Sequence, residues 1–137
     1  MPSEFSLRPI GYVRSSLTSR ASAPLQGHEG APAARIELLA EVHVGLEGIT
    51  VGQELMLLSW LHEGRRDVLR LHPRGDSSLP LSGVFATRSP DRPNPIGLHR
   101  VSVLAVHPGA LEVAPLEAID GTPIVDIKPV LTGVDDG

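Results

Sequence analysis

His99-Arg100-Val101-Ser102-Val103-Leu104-Ala105-Val106-His107, then Pro108-Gly109, then Ala110-Leu111-Glu112-Val113-Ala114-Pro115-Leu116, is the stretch that decides the fold. Two runs rich in Val and Leu, broken by a Pro-Gly pair, read as antiparallel neighbours joined by a hairpin turn. Similar short bursts recur along the chain at Leu7 to Val13, Arg35 to Glu41, Glu54 to His62, Asp67 to His72, Gly83 to Thr87 and Ile124 to Ile127. Gly and Pro punctuate them at intervals that suit strands better than helices. Eight such strands predict an all-β chain with a closed or nearly closed sheet. Leu55-Met56-Leu57-Leu58 is apolar at every position, so this strand is expected to be buried on both faces. Val42 to Leu46 is predicted to form one helical turn.

Composition narrows the class. Gly 14 and Pro 13 in 137 residues leave no stretch free of both that exceeds the 12 residues of Tyr12 to Ala23 or Ala33 to Val44, which rules out long helices. The length suits one domain, expected over residues 1–137. A membrane-spanning helix needs about 20 consecutive apolar residues, and no such run exists. The first eight residues carry no secretory signal pattern, so a cytoplasmic, soluble protein is expected. Without cysteine there is no disulfide, no thiolate nucleophile and no cysteine-type zinc site.

Charge is segregated along the chain. Twelve basic against 16 acidic side chains argue against blanket attraction to nucleic acid or anionic lipid. Yet from Leu61 to Arg100 the seven arginines 65, 66, 70, 74, 88, 92 and 100 outnumber four acids. Such a run is either a solvated face or a nucleic-acid contact. With one Trp, one Tyr and two Phe, an aromatic base-stacking platform is not expected. The histidines at 28, 43, 62, 72, 99 and 107 lack metal-site spacing and read as surface or hydrogen-bonded core residues, so no metal is expected. Arg74-Gly75-Asp76 reads as a turn.

The Rossmann glycine pattern, the Walker loop, G-x-S-x-G and H-E-x-x-H are all missing. Gly83-Val84-Phe85-Ala86-Thr87-Arg88-Ser89-Pro90-Asp91-Arg92-Pro93-Asn94-Pro95-Ile96-Gly97 is more informative. Its three prolines restrict their own φ and the conformations of the preceding residues, so the loop is stiff before any ligand arrives. Arg88, Asp91, Arg92 and Asn94 add donors and acceptors. A preorganised polar loop suits a small ligand because little ordering entropy is lost on binding, although a rigid turn facing water has the same residues. Asp120-Gly121-Thr122-Pro123-Ile124-Val125-Asp126-Ile127-Lys128-Pro129 opens as a turn and continues as a strand, with Asp126 and Lys128 placed for a cross-strand ion pair. Thr18 to Ala34 is predicted to be a long loop of the kind that carries function.

The segments GVFATRSPDRPNPIG (Gly83 to Gly97) and DGTPIVDIKP (Asp120 to Pro129) closely resemble the two signature segments of the tRNA N6-threonylcarbamoyladenosine methyltransferases. The likeness extends to Ile10-Gly11-Tyr12-Val13-Arg14-Ser15, Gly45-Leu46-Glu47-Gly48 and Trp60-Leu61-His62, and so covers most of the chain. It implies a single-domain antiparallel β-barrel with short helical turns and long loops, S-adenosylmethionine as methyl donor, a homodimer, and methylation of the modified adenosine at tRNA position 37. The chain ends soon after the second motif, as in a short form without the C-terminal domain of longer members. Carried over residue by residue, the resemblance places the cofactor site on Leu25, Gln26, His62, Glu63, Arg88, Leu98, Ala114, Pro115, Leu116 and Glu117. Leu25 stands where arginine is usual, Glu63 where a neutral or basic residue is common, Glu117 where aspartate is common and Val130 where tyrosine is usual.

Methyl transfer from a sulfonium is an in-line displacement, so catalysis is mainly positioning. A carbamoylated N6 is more acidic than a plain exocyclic amine, and a modest base suffices to take its proton. Asp120 is the first candidate and Asp91 the second, with Asn94 orienting the acceptor. Arg65, Arg66, Arg70, Arg74 and Arg92 are the expected tRNA contacts, and Arg88 is the expected partner of the cofactor carboxylate. A small-metabolite methyltransferase on the same barrel, and a cofactor-binding module without turnover, are the alternative readings.

Overall fold

A computed structural model describes residues 3–131; residues 1–2 and 132–137 of the expected 1–137 domain lie outside the described residues. The Pro108-Gly109 turn joins two long antiparallel strands, with His107 opposite Ala110. Gly109 has φ 73°, a left-handed conformation that glycine adopts freely, and proline before it supplies the preset φ of the preceding turn position.

Around that hairpin six strands close on themselves. They are β1 (Gly11–Arg14), β2 (Ala34–Leu38), β3 (Glu54–Trp60), β6 (Ile96–His107), β7 (Ala110–Ala114) and β8 (Pro123–Pro129). All neighbours run antiparallel in the order β1-β2-β7-β6-β3-β8, and β8 returns to β1 through Gly11 opposite Ile124. The chain is an all-β antiparallel barrel, as the sequence and the resemblance predict. The remaining strands, β4 (Arg70–Leu71) and β5 (Ser82–Gly83), form a separate two-stranded ribbon.

A small barrel has one buried face, and the side-chain alternation of its strands meets that condition. Val13, Ile36, Leu55, Leu57, Val101, Val103, Leu111, Val113 and Ile124 fill the interior at 0–1% exposure. Each buried Val, Leu or Ile contributes about 1.5–3 kcal/mol of transfer free energy. The expectation that Leu55-Met56-Leu57-Leu58 is buried on both faces is corrected: Leu55 and Leu57 are inside, while Met56 and Leu58 are only half-buried outside. Nothing in a closed single-layer barrel covers the outer face of β3 with a second layer.

Two other local expectations change. Gly83 to Thr87 is not a strand; after β5 the chain enters a 3-10 turn over Val84–Ala86 that buries Val84. The Val84 carbonyl accepts from the Thr87 amide and hydroxyl and from Arg92, so turn and loop contacts replace a sheet ladder. Asp126 and Lys128 do form an ion pair, 3.7 Å apart, but along β8 instead of across strands. The helical turn expected at Val42 to Leu46 is present and begins earlier, at Ala40, with Leu46 packed on the core. Arg74-Gly75-Asp76 lies in a turn, and the long loop from Thr18 carries only the 3-10 turns Arg20–Ser22 and Gly27–Glu29 before β2.

Candidate functional site

The proline-rich loop is held by two arginines, Arg92 of the loop itself and Arg66 from outside it. The Arg92 guanidinium donates to the carbonyls of Val84 at 2.7 Å, Thr87 at 3.0 Å and Ser89 at 2.9 Å, and its amide donates to the Arg65 carbonyl at 2.8 Å. Arg66 donates to the Pro93 carbonyl at 2.7 Å and to Asn94 Oδ1 at 3.0 Å, with its guanidinium 5.3 Å from the Trp60 ring centroid. These bonds add to the dihedral limits of Pro90, Pro93 and Pro95. The result is a loop fixed from both sides.

The long loop after β1 is tied to the same structure. Arg20 donates to Asp91 Oδ2 at 3.0 Å and to the Glu63 carbonyl at 3.0 Å, while the Arg65 amide donates to Asp91 Oδ1 at 2.9 Å. Burial pushes the Asp91 carboxyl up, but the Arg20 hydrogen bond, the Arg65 amide and the charges of both arginines outweigh it and hold the group below its ordinary value of 3.8. Its contribution to stability is therefore complete above the ordinary value and disappears as pH falls through the lowered one. Arg20→Ala is expected to destabilise the fold at neutral pH and less as the medium is acidified, the bond to the Glu63 carbonyl alone remaining; denaturant titrations of both proteins across pH measure this, and a penalty that does not shrink toward the acid end would refute it.

Between these loops and the barrel end lies a two-lobed cleft. The larger lobe, of about 1380 Å³, takes Leu25, His62, Glu63, Arg70, Phe85 and Asp91 among its walls. The smaller, of about 390 Å³, is walled by Gly27, His28, Met56, Arg100 and Pro115. Gln26, Arg88, Leu98, His99 and Glu117 border both lobes and so mark the junction. Of the seven arginines between Leu61 and Arg100, five are committed elsewhere: Arg65 to Asp67, Arg66 and Arg92 to the loop, Arg74 to Glu29 and Arg100 to Glu54. Among the described residues the side chains of Arg70 and Arg88 make no hydrogen bond or ion pair. Both face the larger lobe.

A polar chain runs from the junction into the barrel. Ser59 on β3 and His99 on β6 point inward with the apolar residues of their strands and are 0% and 4% exposed. Ser59 Oγ lies 2.6 Å from His99 Nε2, and His99 Nδ1 bonds Glu117 Oε1. An ionised carboxylate only accepts, so Nδ1 donates to Glu117 and, in the neutral ring, Nε2 accepts from the Ser59 hydroxyl. Gly97 stands opposite Ser59, and a Cβ on it would lie 2.7 Å from His99 Nε2. Glycine is required there by the ring of its own neighbour on the strand.

Most, but not all, of the residues expected from the sequence meet at this cleft. Leu25, Gln26, His62, Glu63, Arg88, Leu98 and Glu117 line it, as does Pro115 on the smaller lobe. Ala114 ends β7 without lining either lobe, and Leu116 is completely buried in the barrel core, where it touches other side chains instead of open space. Among the candidate bases, Asp91 lines the cleft with both oxygens engaged. Asp120 lies outside the lining and accepts from the Ser15 amide at 3.0 Å, bracing β1 against the turn. Asn94 also lies outside it, bonded to Arg66. Arg70, Arg74 and Arg92 line the larger lobe, whereas Arg65 and Arg66 do not. Ser59 and Arg20 are not singled out by the sequence, whereas His99, expected as a surface or hydrogen-bonded core residue, is a hydrogen-bonded core residue beside Gly97 of the signature segment. For His99 the usable signal was parity, since positions 99, 101 and 103 of a strand share one face.

No metal-ligating cluster is found among the described residues. No helix among them is long and apolar enough to cross a membrane. The family model for the tRNA-methyltransferase O N-terminal domain matches residues 12–136. A protein of Methanothermobacter thermautotrophicus named "Probable S-adenosyl-L-methionine-binding protein" is 39% identical over 132 residues, covering 96% of this chain and 94% of that one. An Archaeoglobus fulgidus protein named "S-adenosyl-L-methionine-binding protein" is 40% identical, with 94% of this chain and 91% of that one covered. The crystal structure of TrmO from Pseudomonas aeruginosa superimposes with a TM-score of 0.73 at 31% identity; the match covers 98% of this chain and 62% of that one. With the barrel, the proline loop and the second signature segment all in place, the chain belongs to the tRNA-methyltransferase O N-terminal domain family.

Proposed function

We propose that this protein transfers the methyl group of S-adenosylmethionine to N6 of threonylcarbamoyladenosine at position 37 of tRNA. Family membership carries the coarser statement, an S-adenosylmethionine-dependent methyltransferase. The observation that supports the site is the guanidinium of Arg88, unpaired among the described residues, on a loop immobilised by Arg66 and Arg92 at the junction of a two-lobed cleft. Those residues fit the cofactor: Arg88 offers a charged donor to a carboxylate, Gln26 a neutral amide, and Leu25, Leu98 and Pro115 apolar walls. When bound, S-adenosylmethionine supplies an electrophilic methyl on sulfur. The chain's own part is to hold donor and acceptor in line, which a preorganised loop does without reordering.

A homodimer belongs to this proposal. Leu69, Leu79, Leu81 and Phe85 lie exposed around the larger lobe and its ribbon, Phe85 at 80%, and a second copy would cover such apolar surface. A second acceptor reading is favoured by the internal commitment of five arginines, because few free cations remain for a polyanion.

Transfer of labelled methyl to bulk tRNA, with sedimentation of the same preparation, tests these points. Incorporation into tRNA by a species of twice the chain mass is the expected result; label refused by tRNA but accepted by a small-molecule extract would move the metabolite reading ahead. Across a salt series Arg70→Ala is expected to lower the log-log slope of tRNA binding by about one unit, the share of one lost phosphate contact. Arg65→Ala should leave that slope alone, since Arg65 is already paired with Asp67.

A further inference from the structure

The chain Ser59–His99–Glu117 is not required to close the barrel, and it is expensive to bury unless every member is bonded. Ser59 and His99 continue inward rows that carry Leu55 and Leu57 on β3 and Val101 and Val103 on β6. Their bonds account for Glu117 Oε1 and leave Oε2 with no protein partner among the described hydrogen bonds. The Glu117 side chain is 13% exposed, and the unpartnered Oε2 keeps access to the cleft. It lies toward Gly27, where a Cβ would approach it to 3.0 Å. Gly27 and Glu117 both border the smaller lobe, and Glu117 borders the larger one as well.

The residues that fit the cofactor border both lobes, Leu25 the larger and Pro115 the smaller, so a cofactor held by them lies across the junction. Three carboxylates line the cleft. Asp91 has both oxygens engaged by Arg20 and the Arg65 amide, and Glu63, half-exposed, lies 3.9 Å from His62 in the larger lobe only. Glu117 is the carboxylate at the junction.

We infer that Glu117, with one oxygen pinned by His99 and His99 pinned by Ser59, faces the sulfonium of the cofactor and makes the cleft select the charged methyl donor over its neutral thioether product. This rests on the cofactor reading above and assigns to Ser59 and His99 a positioning role. The charge on sulfur is what the reaction removes. A carboxylate held at that sulfur attracts S-adenosylmethionine and loses its partner when the methyl leaves, which favours exchange of product for fresh donor. Ser59 matters through the ring: with its hydroxyl donating to Nε2, the proton stays on Nδ1, and Nδ1 keeps Oε1 turned away from the cleft. Because Gly97 has no side chain, the His99 ring reaches Ser59 across its position.

The probes are S-adenosylmethionine and S-adenosylhomocysteine, and the readout is the ratio of their dissociation constants by calorimetry, with a melting curve for each variant. The wild-type protein is expected to prefer S-adenosylmethionine. Glu117→Gln should lower that preference about tenfold, the weight of a typical charged contact. Ser59→Ala and His99→Leu should lower it in the same direction. His99→Asn, whose amide can donate from the place of Nδ1, should restore part of it. Should His99→Leu fail to fold, Ser59→Ala and Glu117→Gln decide the matter. A ratio unmoved in folded Glu117→Gln overturns the inference, because a carboxylate facing the amino group common to both ligands would weaken both alike. A ratio moved by Glu117→Gln but not by Ser59→Ala or His99→Leu overturns the positioning role. Wild-type protein that binds neither probe overturns the cofactor reading itself, and this inference with it.

Discussion

Arg88→Ala is expected to weaken S-adenosylmethionine binding by about 1.5–3 kcal/mol, a factor of roughly 10 to 150 in dissociation constant. The size follows from what Arg88 does not do. It is not spent on the fold: among the described residues it bonds nothing, while Arg66 and Arg92 on either side of it hold the loop. Its removal should therefore leave the melting temperature nearly unchanged and act on the ligand alone. Arg88→Lys should recover only part of the affinity, because an ammonium cannot reproduce two parallel bonds to a carboxylate. Calorimetry of the three proteins checks this. Equal affinity in Arg88→Ala, with a normal melt, would remove Arg88 from the cofactor site.

Gly97→Ala is expected to cost about 1–3 kcal/mol of stability, an unusually large effect for the addition of one methyl group. The backbone of Gly97 is ordinary strand, so the penalty is one of space. A Cβ there meets Ser59 Oγ and lies 2.7 Å from His99 Nε2, both on buried side chains bonded to each other. Ser59→Ala removes one of the two obstacles. Combined with Gly97→Ala it should cost less than the two single changes added together, since they share one crowded volume. Denaturant unfolding of the single and double variants measures the difference; strict additivity would show that the ring and hydroxyl do not fill that space. Loss of the His99–Glu117 alignment in Gly97→Ala should also reduce the preference for the charged cofactor, which separates this effect from a general loosening of the barrel.

The two predictions differ in how far they were legible beforehand. Arg88 was visible from the chain: three prolines in six residues announce a stiff loop, and an arginine inside it is a natural donor. Gly97 was visible only as the end of a motif. The demand for glycine there comes from His99, two residues on, reaching toward a serine that is 40 residues away in sequence. The Arg65 and Arg66 pair shows the same limit from the other side. As letters they are two more cations in a basic run, but Asp67 neutralises one and Trp60, Pro93 and Asn94 hold the other.

Features governed by neighbours along the chain were determined by the sequence alone. The Pro108-Gly109 turn, the lack of long helices and the stiffness of the Arg88 to Ile96 segment follow from φ limits and proline chemistry, which act over a few residues. Tertiary structure decided which polar groups are already satisfied. It engaged Asp91 with Arg20, turned Arg92 from a tRNA contact into a clamp on three carbonyls, placed Asp120 on the β1 side of a turn, and left Arg70, Arg88 and one oxygen of Glu117 facing a cleft. The reason is physical: a charged side chain is available to a ligand only if no closer partner has taken it. In a barrel that pairs strands distant in sequence, that partner is chosen by closure of the sheet and not by the residues next along the chain.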